Sequence, residues 1–497
     1  MKKILAIFLG CAVFLAACNP GDFGSTNDDP TKVIVAPTKA LLANAIQVNL
    51  PLTVYNGYSV ANDYVQYLTP GTSRVLYGTR NSAWSSSFRE DLNIYAGPLA
   101  NLQRIIDLNN SNDPMADNTN GHRDNQLAVA RILKAYYFWW MTDRYGDIPY
   151  SEALKGTAGG ANFSPRYDPQ KDIYYDLFKE LKEATTQIKT SELPVAGDVL
   201  FKGNMNKWKM FANTCRMMMA LRLIKNDYAK GKTEFTEALA GGVLTGNADN
   251  VMYVHLANEV YNNNPLYTGY SVAGESFNGQ VMTNSLVDYM KSKDDPRLPV
   301  YGEDLGGEVK GCPYGIPQTS VIGFFSRPGR SACTNTSCPS NFFRAPGAPT
   351  PIFTYAQVLF TLAEAVKVGY ITGTEADAEN YYADAIKASF EYYGVYNSAG
   401  YADYMANPDV AYDPANGLEQ IMSQKWVHMF LQANEAWSDY RRTGFPALVP
   451  AANGEINIIP RREGYPVDEP QINGARYQEA VQRQGPDDLR TRMWWDK

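Results

Sequence analysis

The sequence predicts a mostly α-helical protein in which tetratricopeptide-like helical hairpins support an irregular, loop-rich half. Apolar residues recur at helical spacing in several segments, and short polar turns separate neighbouring segments. Between about residues 241 and 351 this periodicity fades, and Gly, Pro, Asn and Tyr dominate. The pattern favours stacked helical hairpins with an inserted irregular region. The match to the tetratricopeptide consensus is poor, so the prediction depends on periodicity.

The amino terminus is typical of a bacterial lipoprotein. Two lysines precede an apolar run over 4–17 that is too short to span a bilayer. The run ends in LAAC, the lipobox pattern for cleavage before Cys18 and diacylation of its thiol. We therefore expect a signal peptide over 1–17 and a lipid-anchored tether over 18–37. An ordinary secretory signal with an incidental cysteine is the alternative. Either signal delivers the chain to an oxidising compartment.

Composition restricts the function of the remaining chain, 38–497, which we expect to form a single domain. The apolar content of 45% permits a substantial core. The net charge of −7 argues against nucleic acid, which requires a basic face. Tyrosine is abundant, with 34 residues, and each ring offers a flat apolar face with a hydroxyl group. We expect many of these rings to pack in the core and some to serve an exposed binding surface.

Five apolar stripes at helical spacing mark the strongest predicted helices. The third and fourth stripes are separated by the short segment GYITGTEA, as expected for a helical hairpin. In chain order the stripes are Ile132, Leu133, Tyr136, Tyr137 and Trp140; Trp208, Phe211, Ala212, Cys215, Met218 and Met219; Tyr355, Val358, Leu359, Leu362, Ala363 and Val366; Tyr382, Ala385, Ile386, Phe390 and Tyr393; and Met422, Trp426, Met429, Ala433 and Trp437.

The stretch EAWSDYRRTGFP, residues 435–446, places Arg441 and Arg442 beside aromatic residues. Paired arginines among aromatics can grip phosphate, a nucleic acid or a carboxylate substrate. They can equally form the charged last turn of a helix, which Gly444 and Pro446 then end. The stretch alone does not decide between these two interpretations.

Several elements, taken in order, resemble the SusD/RagB family of nutrient-binding outer-membrane lipoproteins. Their order and spacing are consistent over nearly the whole mature chain, and together they are most similar to the SusD-like branch. The elements are DRYGDIPY (143–150), DDPRLPVY (294–301), TYAQVLFTLAEA (354–365), EAWSDYRRTGFP, IPRREGYPVDEPQIN (459–473) and the terminal MWWD. The resemblance favours the structural interpretation of Arg441 and Arg442. We expect them to close the last long helix and to bond carbonyls or acids of the packed C-terminal segment.

The resemblance also implies a function. Members of this family cap the extracellular mouth of a SusC-like TonB-dependent transporter and deliver a captured nutrient to it. We therefore expect a lipid-anchored outer-membrane protein, facing the cell exterior, that binds an oligosaccharide. Peptide capture is the alternative within the same class. A structural or adhesin lipoprotein without small-ligand transport is the alternative from another class.

The sequence contains no strong catalytic or metal motif, so we expect no enzymatic activity and no cofactor. His122, His255 and His428 are scattered, without HExxH or zinc-site spacing. GYSVA occurs twice, but Ala replaces the last Gly of a nucleophile elbow. A glycosidase carboxylate pair is defined only in space and stays open. The Asn- and Asp-rich stretch 107–121 lacks the features of a calcium-binding EF-hand loop, which favours a solvated linker.

The cysteines of the mature chain predict at most one disulfide in the irregular region. Cys215 falls on an apolar stripe and is expected to be an inert core thiol. Cys312, Cys333 and Cys338 lie in the irregular region, where one pair forms a possible disulfide and the third thiol is left over or pairs elsewhere. The pairing is open.

Two loops supply the candidate ligand-binding residues, because a sugar requires aromatic platforms beside polar donors and acceptors. The resemblance points to an early loop and a middle loop, although no family motif fixes the binding residues within them. In TSRVLYGTRNSAW we expect Trp84 and Phe88 to begin a helix that faces the core. The candidates are Arg74, Tyr77, Arg80 and Asn81 in that stretch, and Asn262, Asn263, Asn264, Tyr267 and Tyr270 in YNNNPLYTGYS.

Overall fold

The computed structural model describes residues 36–55, 60–69, 93–155, 164–268, 280–316, 320 and 335–497. The chain divides into two units, Met1–Pro37 and Thr38–Lys497. The predicted signal peptide and nearly all of the predicted tether lie outside the described residues. All of the elements discussed below belong to the second unit.

The second unit is mostly helical and has only short strands, which confirms the predicted fold class. The helices are α1 (Thr38–Gln47), α2 (Val60–Tyr64), α3 (Ala100–Asn110), α4 (Arg123–Tyr145), α5 (Gln170–Gln187), α6 (Met205–Leu221), α7 (Tyr228–Ala240), α8 (Pro265–Tyr267), α9 (Asn284–Lys291), α10 (Leu298–Tyr301), α11 (Asn341–Arg344), α12 (Tyr355–Lys367), α13 (Glu375–Tyr392), α14 (Ser398–Ala406), α15 (Gly417–His428), α16 (Ala433–Thr443), α17 (Glu469–Ile472) and α18 (Gly474–Gln484). The strands are β1 (Leu68–Thr69), β2 (Ile148–Pro149), β3 (Tyr167–Asp168), β4 (Val251–Tyr253), β5 (Val281–Met282) and β6 (Thr350–Phe353).

Neighbouring long helices pack as hairpins: α4 against α5, α6 against α7 and α12 against α13. The last hairpin shows why its sequence folds locally. Thr354 and Thr374 each accept a hydrogen bond from the backbone at the third helical position, and the side chains of Gln357 and Asp377 accept from the cap residues in return. These capping boxes fix where both helices begin. The segment GYITGTEA, predicted to separate the two helices, lies where α12 ends and α13 begins.

The predicted fifth stripe spans two helices. α15 ends at His428 and α16 begins at Ala433. Between them Leu431 has a φ of 69°, a left-handed conformation that interrupts the helix. Met429 and Leu431 are nevertheless buried. The apolar spacing therefore continues through a turn that packs in the core, which explains why periodicity alone does not reveal the break.

The region that lacks periodicity contains short elements held by long-range contacts. β4 pairs antiparallel with β6, so that Val251 lies opposite Phe353. β5 pairs antiparallel with β1, from a distant part of the chain. One eight-residue helix, α9, begins after Thr283, whose side chain accepts a hydrogen bond from the amide of Leu286. The composition of the region gave no sign of this helix.

Tyrosine contributes heavily to the core. Tyr301 stacks on Phe430 with ring centroids 4.8 Å apart and contacts the ring of Tyr393 at 4.9 Å. Its hydroxyl donates to the backbone carbonyl of Val427 at 2.8 Å. Burial raises the pKa of Tyr301 well above its ordinary value. Such residues combine a large apolar area with one satisfied polar group, as expected for the rings assigned to packing.

None of the helices in the described part of the chain has the length and apolar content needed to cross a membrane.

Candidate ligand-binding site

The sheet of β1 and β5 brings together the chain segment that leads into the early loop and the segment that follows the middle loop. β1 and β5 pair antiparallel, with Leu68 opposite Met282 and Thr69 opposite Val281. The segment that follows Thr69 and the segment that precedes Val281 therefore connect to the same end of this two-stranded sheet. The early stretch follows Thr69 along the chain and the middle stretch precedes Val281, so the pairing of these two residues links parts of the chain that are about two hundred residues apart.

Further contacts hold this frame against the helices. Thr283 directly follows β5, and its hydroxyl donates to the backbone carbonyl of Gln66. The side chain of Gln66 reaches the carbonyl of Val449 at 2.6 Å. On the other side, the amide of Cys312 donates to the carbonyl of Met282 at 2.8 Å. The ends of the candidate loops thus start from a backbone that is hydrogen-bonded on several sides.

Most of the early candidates lie outside the part of the chain that the structure describes. This holds for Arg74, Tyr77, Arg80 and Asn81, and also for Tyr270 of the middle loop. The predicted helix start at Trp84 and Phe88 falls in the same range. Their assignment stays a prediction.

Asn262 and Asn263 hold the middle loop together. The backbone carbonyl of Asn262 lies 3.1 Å from Nδ1 of His255, and its side-chain oxygen accepts from the Tyr253 hydroxyl at 3.2 Å. Asn263 donates through Nδ2 to the carbonyls of Leu256 and Ala257 at 3.0 and 3.1 Å. Both asparagines are half-buried. Their described contacts brace the loop, and ligand contact by these residues stays a prediction.

Asn264 requires a correction. Its side chain is fully buried, donates to the carbonyl of Ala348 at 2.8 Å and accepts from the amide of Leu266 at 2.8 Å. Both polar groups of the amide are therefore occupied inside the protein, and the residue caps α8. Asn264 fixes the loop and does not reach a ligand surface. Asx caps of this kind precede short helical turns, and the following Pro265 was the available signal in the sequence.

Two tyrosines of the middle loop differ in exposure. Tyr267, a predicted candidate at the end of α8, is half-buried. Tyr261 is fully exposed, with a relative exposure of 101%, and it follows Val260 at 74%. Tyr261 was not among the predicted candidates, although it lies in the same stretch. It belongs to a short turn, Val260–Asn262, and no pattern in the sequence distinguishes it from the buried tyrosines.

Arg441 and Arg442 lie in the core, which confirms the structural interpretation of the paired arginines. Arg441 lies over the ring of Trp437 at 3.6 Å and donates to the carbonyl of Arg461 at 3.1 Å. Arg461 belongs to the C-terminal segment, as expected. The helix ends at Gly444, whose φ of 83° gives the left-handed cap that glycine favours. α16 is not the last long helix, however, because α18 follows it with the same length.

Arg442 joins a buried network of ions. Its guanidinium binds both carboxylate oxygens of Glu364 on α12 and donates to Asp439 Oδ1 at 2.8 Å. Asp439 also lies 2.8 Å from Nζ of Lys425 and 3.4 Å from Nη1 of Arg222. Burial acts to raise the pKa of Asp439, but the three cations, led by Lys425, hold it well below its usual range. The paired arginines therefore stabilise the junction of α12, α15 and α16.

The family of the chain follows from a match that spans most of its length. Residues 30–466 match a SusD-like family described as "Starch-binding associating with outer membrane". The chain belongs to the SusD-like family. The resemblance found in the sequence is therefore confirmed. No curated protein matches the chain.

Solved structures of other SusD-like proteins share the fold over nearly their whole length. A chitin-binding protein is 28% identical, and the alignment covers 92% of this chain and 100% of that one with a TM-score of 0.75. A chitin-binding SusD homologue from Flavobacterium johnsoniae is 26% identical, with 93% and 98% covered and a TM-score of 0.71. A SusD homologue from Bacteroides uniformis is 25% identical, with 93% and 98% covered and a TM-score of 0.74.

Two histidines of this SusD-like chain have lowered pKa values because they are buried in the packed protein. Burial lowers the pKa of His428 to about 3, and its ring nitrogens contact the hydroxyls of Thr354 and Ser389 at 2.6 and 2.9 Å. Burial likewise lowers the pKa of His255 to about 4. Within the described ranges, no group of three or more His, Cys, Asp or Glu side chains is arranged to hold a metal ion.

The described cysteines differ in state. Cys215 and Cys312 are buried free thiols, and burial raises the pKa of Cys312 to about 12. Cys338 is disulfide-bonded. Cys312 is therefore not part of the possible disulfide of the irregular region. Cys333 lies outside the described residues, and the partner of Cys338 stays open.

Proposed function

We propose that this SusD-like protein binds an oligosaccharide on the surface formed by its early and middle loops and delivers it to a SusC-like TonB-dependent transporter. The observation that supports the proposal most directly is the pairing of Thr69 with Val281, which brings the ends of the two loops to one frame. The family match supports a glycan ligand. On this surface, Tyr261 and Tyr267 are the described aromatic residues that can contact the apolar face of a sugar.

Oligomers of N-acetylglucosamine are the first ligands to test. Two chitin-binding proteins of known structure are 28% and 26% identical to this chain over nearly its full length. The family description names starch, so malto-oligosaccharides are the second class. Peptides remain the alternative cargo. An adhesin that carries no cargo remains the alternative from another class.

Calorimetric titration of the purified mature chain tests the ligand class. We expect heat on addition of chito-oligosaccharides or malto-oligosaccharides and none on addition of peptides of similar mass. Heat from peptides alone would replace the glycan proposal with peptide capture. No heat from either class would favour the adhesin. Analysis of the sugar after incubation should find it intact, since we propose a binding protein and not a hydrolase.

We also propose that Cys18 carries the lipid anchor and that the protein faces the cell exterior. Cys18→Ala should abolish labelling by a radioactive fatty acid and release the protein from the membrane, because stable anchoring requires two acyl chains. Protease added to intact cells should degrade the anchored wild-type protein. Persistent label in Cys18→Ala would contradict the lipobox assignment. Full protection from protease would contradict exposure at the surface.

The transporter partnership has its own test. Affinity purification of the lipidated protein from detergent-solubilised outer membranes should co-purify a TonB-dependent barrel in a near-stoichiometric amount. Isolation of the protein without a barrel, from membranes that contain such transporters, would contradict the proposal. This outcome is independent of which ligand binds.

A further inference from the structure

A groove of about 640 Å³ lies between three helices of the hairpin region, outside the loop surface considered above. Helix α4 forms its floor, helices α3 and α5 form its walls, and the turn 150–155 closes one end. The floor residues fall at i, i+3, i+4 and i+7, which is one face of α4. The main side chains of the groove are Arg131, Lys134 and Phe138 on the floor, Gln103 and Asp107 on α3, and Asp176 and Glu180 on α5.

The polar groups of the groove are fixed by one another. Lys134 Nζ donates to Gln103 Oε1 at 2.6 Å, and Gln103 Nε2 donates to Asp107 Oδ1 at 2.8 Å. Arg131 donates through Nε and Nη2 to the two oxygens of Glu180, both at 2.9 Å. The side chains are therefore held in place before any ligand arrives, which reduces the entropy lost on binding.

These contacts leave hydrogen-bonding capacity directed at the groove. An ammonium group has three donors, and Lys134 uses one of them on Gln103. Asp176 accepts from the Tyr150 hydroxyl through Oδ2 at 2.6 Å, and its second oxygen has no hydrogen-bond donor among the described residues. Each carboxylate oxygen of Glu180 retains a second lone pair beside its bond to Arg131. The walls thus offer both donors and acceptors.

One end of the groove is apolar. Tyr150 packs edge-on against Phe138 with ring centroids 4.7 Å apart. Leu154 is half-buried beside it and has a φ of 63°. A ligand in the groove would therefore meet an apolar surface at the turn and polar groups along the helices. A sugar ring has this division, because it presents C–H faces and a rim of hydroxyls.

The balance of charges in the groove favours a neutral ligand. Its lining contains three cations and three carboxylates, so it has no net charge. They are Arg131, Lys134 and Lys155 against Asp107, Asp176 and Glu180. Burial lowers the pKa of Lys134, which shows that its ammonium is already partly desolvated. A phosphate or a polyanion would find no excess of positive charge here. A neutral polyhydroxylated ligand matches both the charge balance and the mixed donors and acceptors.

We propose that this groove is a second glycan-binding site, which takes a short neutral oligosaccharide independently of the loop surface. Its volume lies in the range of ordinary small-molecule sites. A second site on the helical face would hold one part of a long polysaccharide while the loops hold another, and linked sites raise the apparent affinity without new contacts.

A local probe tests the groove without interference from the loop surface. Lys155 is exposed at the rim. Lys155→Cys can therefore be labelled with an environment-sensitive dye in a mature chain that carries Cys18→Ala, which removes the other accessible thiol at the amino terminus. Titration with maltotriose and with chitotriose should change the dye signal saturably for at least one sugar. A zwitterionic tripeptide should leave the signal unchanged. No change with either sugar, or a change with the tripeptide alone, would overturn the proposal.

Matched tryptophan variants locate the binding event. Ala153→Trp, in the turn that lines the groove, should weaken the dye-reported affinity at least about tenfold, equivalent to about 1.4 kcal/mol. Ala376→Trp introduces the same ring at an exposed position of α13 and should leave the affinity unchanged. If Ala153→Trp does not fold, Lys134→Met replaces it, because this variant removes the ammonium while retaining the length of the side chain. Unchanged binding in the folded groove variant would overturn the assignment.

The groove and the loop surface can be tested independently, because each has its own variant and its own signal. Tyr267→Ala should leave the dye-reported binding in the groove unchanged, whereas Ala153→Trp should leave the calorimetric signal of the loop surface unchanged. Loss of the groove signal in Tyr267→Ala would show that the dye reports the loop surface, and it would overturn the second site. A groove signal without a loop signal would instead contradict the proposed function and support the groove.

Discussion

The hairpin region and the loop-rich region of this SusD-like protein are stabilised in different ways. The junction of α12, α15 and α16 buries an ion network in which Arg442, Asp439 and Glu364 are all nearly inaccessible to solvent. The frame of the loops depends on strands as short as two residues and on side-chain braces such as His255. The first arrangement tolerates little change, because a buried ion without its partner is costly. The second lets loop sequences change while the frame stays in place.

This difference suggests that the hairpin region contributes mainly to stability and that the loop region can vary more freely in sequence. Relatives that are about a quarter identical still share the fold over nearly their whole length. We expect substitutions in the hairpin region to change mainly the free energy of unfolding, and substitutions in the loop region to change mainly ligand affinity.

The largest effect is expected from the buried ion network. Arg442→Met removes the partner of Glu364 and one of the partners of Asp439, leaving buried carboxylates undercompensated. We expect a loss of about 3–5 kcal/mol in the free energy of unfolding, measured by chemical denaturation. Ligand affinity of the folded fraction should stay the same.

Arg476→Met provides the matched control for this prediction. Arg476 is 42% exposed and pairs with Glu479 on the surface of α18. Surface pairs of this kind contribute about 0–1 kcal/mol. Equal effects of the two substitutions would mean that the network around Arg442 does not stabilise the hairpins in the way described.

Two buried histidines, His428 on α15 and His255 beside the middle loop, should each make the stability of the protein depend on pH. Both pKa values lie below the ordinary 6.5, about 3 for His428 and about 4 for His255. On acidification, each imidazole therefore takes up a proton near pH 6.5 in the unfolded chain and only at a much lower pH in the folded chain. Each histidine contributes stability that is fully present above pH 6.5 and is lost on acidification, by about 1.4 kcal/mol per pH unit.

Denaturation between pH 7 and pH 5 measures this dependence before most carboxylates titrate. His428→Gln should flatten the pH dependence of the unfolding free energy over this range, because glutamine does not titrate. His255→Gln should also flatten it. Over this range the two slopes should be similar, because both pKa values lie well below 6.5. An unchanged slope in His428→Gln would show that folding does not lower the pKa of His428.

The fold was predictable because its signals are local and repeated. The segment GYITGTEA was predicted to separate the two helices of a hairpin, and α12 and α13 do pack as a hairpin. Two features were not predictable. The break at Leu431 is hidden because the residues of the turn are as apolar as those of a buried helix. The start of α9 is hidden because Thr283, which caps it, is held in place by a hydrogen bond to the carbonyl of Gln66, far away in sequence.

The candidate site was less predictable because exposure and burial of polar loop residues are set by tertiary contacts. Asn262, Asn263 and Asn264 are identical in chemistry and adjacent in sequence, yet the last is fully buried while the first two brace an exposed turn. Tyr261, at 101% exposure, has the same side chain as the fully buried Tyr301. No periodic pattern in the sequence distinguishes the exposed tyrosine from the buried one.

The loop region should show its main energetic contribution in binding. Tyr267→Ala or Tyr261→Ala should weaken oligosaccharide binding by about 1–3 kcal/mol, as for a binding hot spot, and should change the unfolding free energy by less than about 0.5 kcal/mol. Calorimetric titration and a thermal melt on the same samples measure both quantities.

Tyr393→Ala is the matched variant in the core, and it should give the opposite pattern. Tyr393 is buried, and its hydroxyl donates to the carbonyl of His428 at 2.6 Å. Its truncation should lower stability while the affinity of each folded molecule is retained. Loss of stability without loss of affinity in Tyr267→Ala would move that residue from the ligand surface to the packing of α8.

The smallest effect tests whether hairpin stability is also set locally, at the ends of the helices. Thr374 Oγ1 accepts a hydrogen bond from the amide of Asp377 at the start of α13, and Thr374→Ala removes this bond. The reciprocal bond, from the backbone amide of residue 374 to the Asp377 carboxylate, does not involve the replaced side chain. We expect a loss of about 1 kcal/mol in the unfolding free energy, the usual value of a threonine cap.

Thr236→Ala provides the control, because Thr236 lies inside α7 and its hydroxyl donates a hydrogen bond to the carbonyl of Lys232. There alanine is the better helix former, so the same substitution should be neutral or slightly stabilising. A loss in both variants would show that the cap is not what distinguishes Thr374, and that the start of α13 is held by its packing on α12 alone.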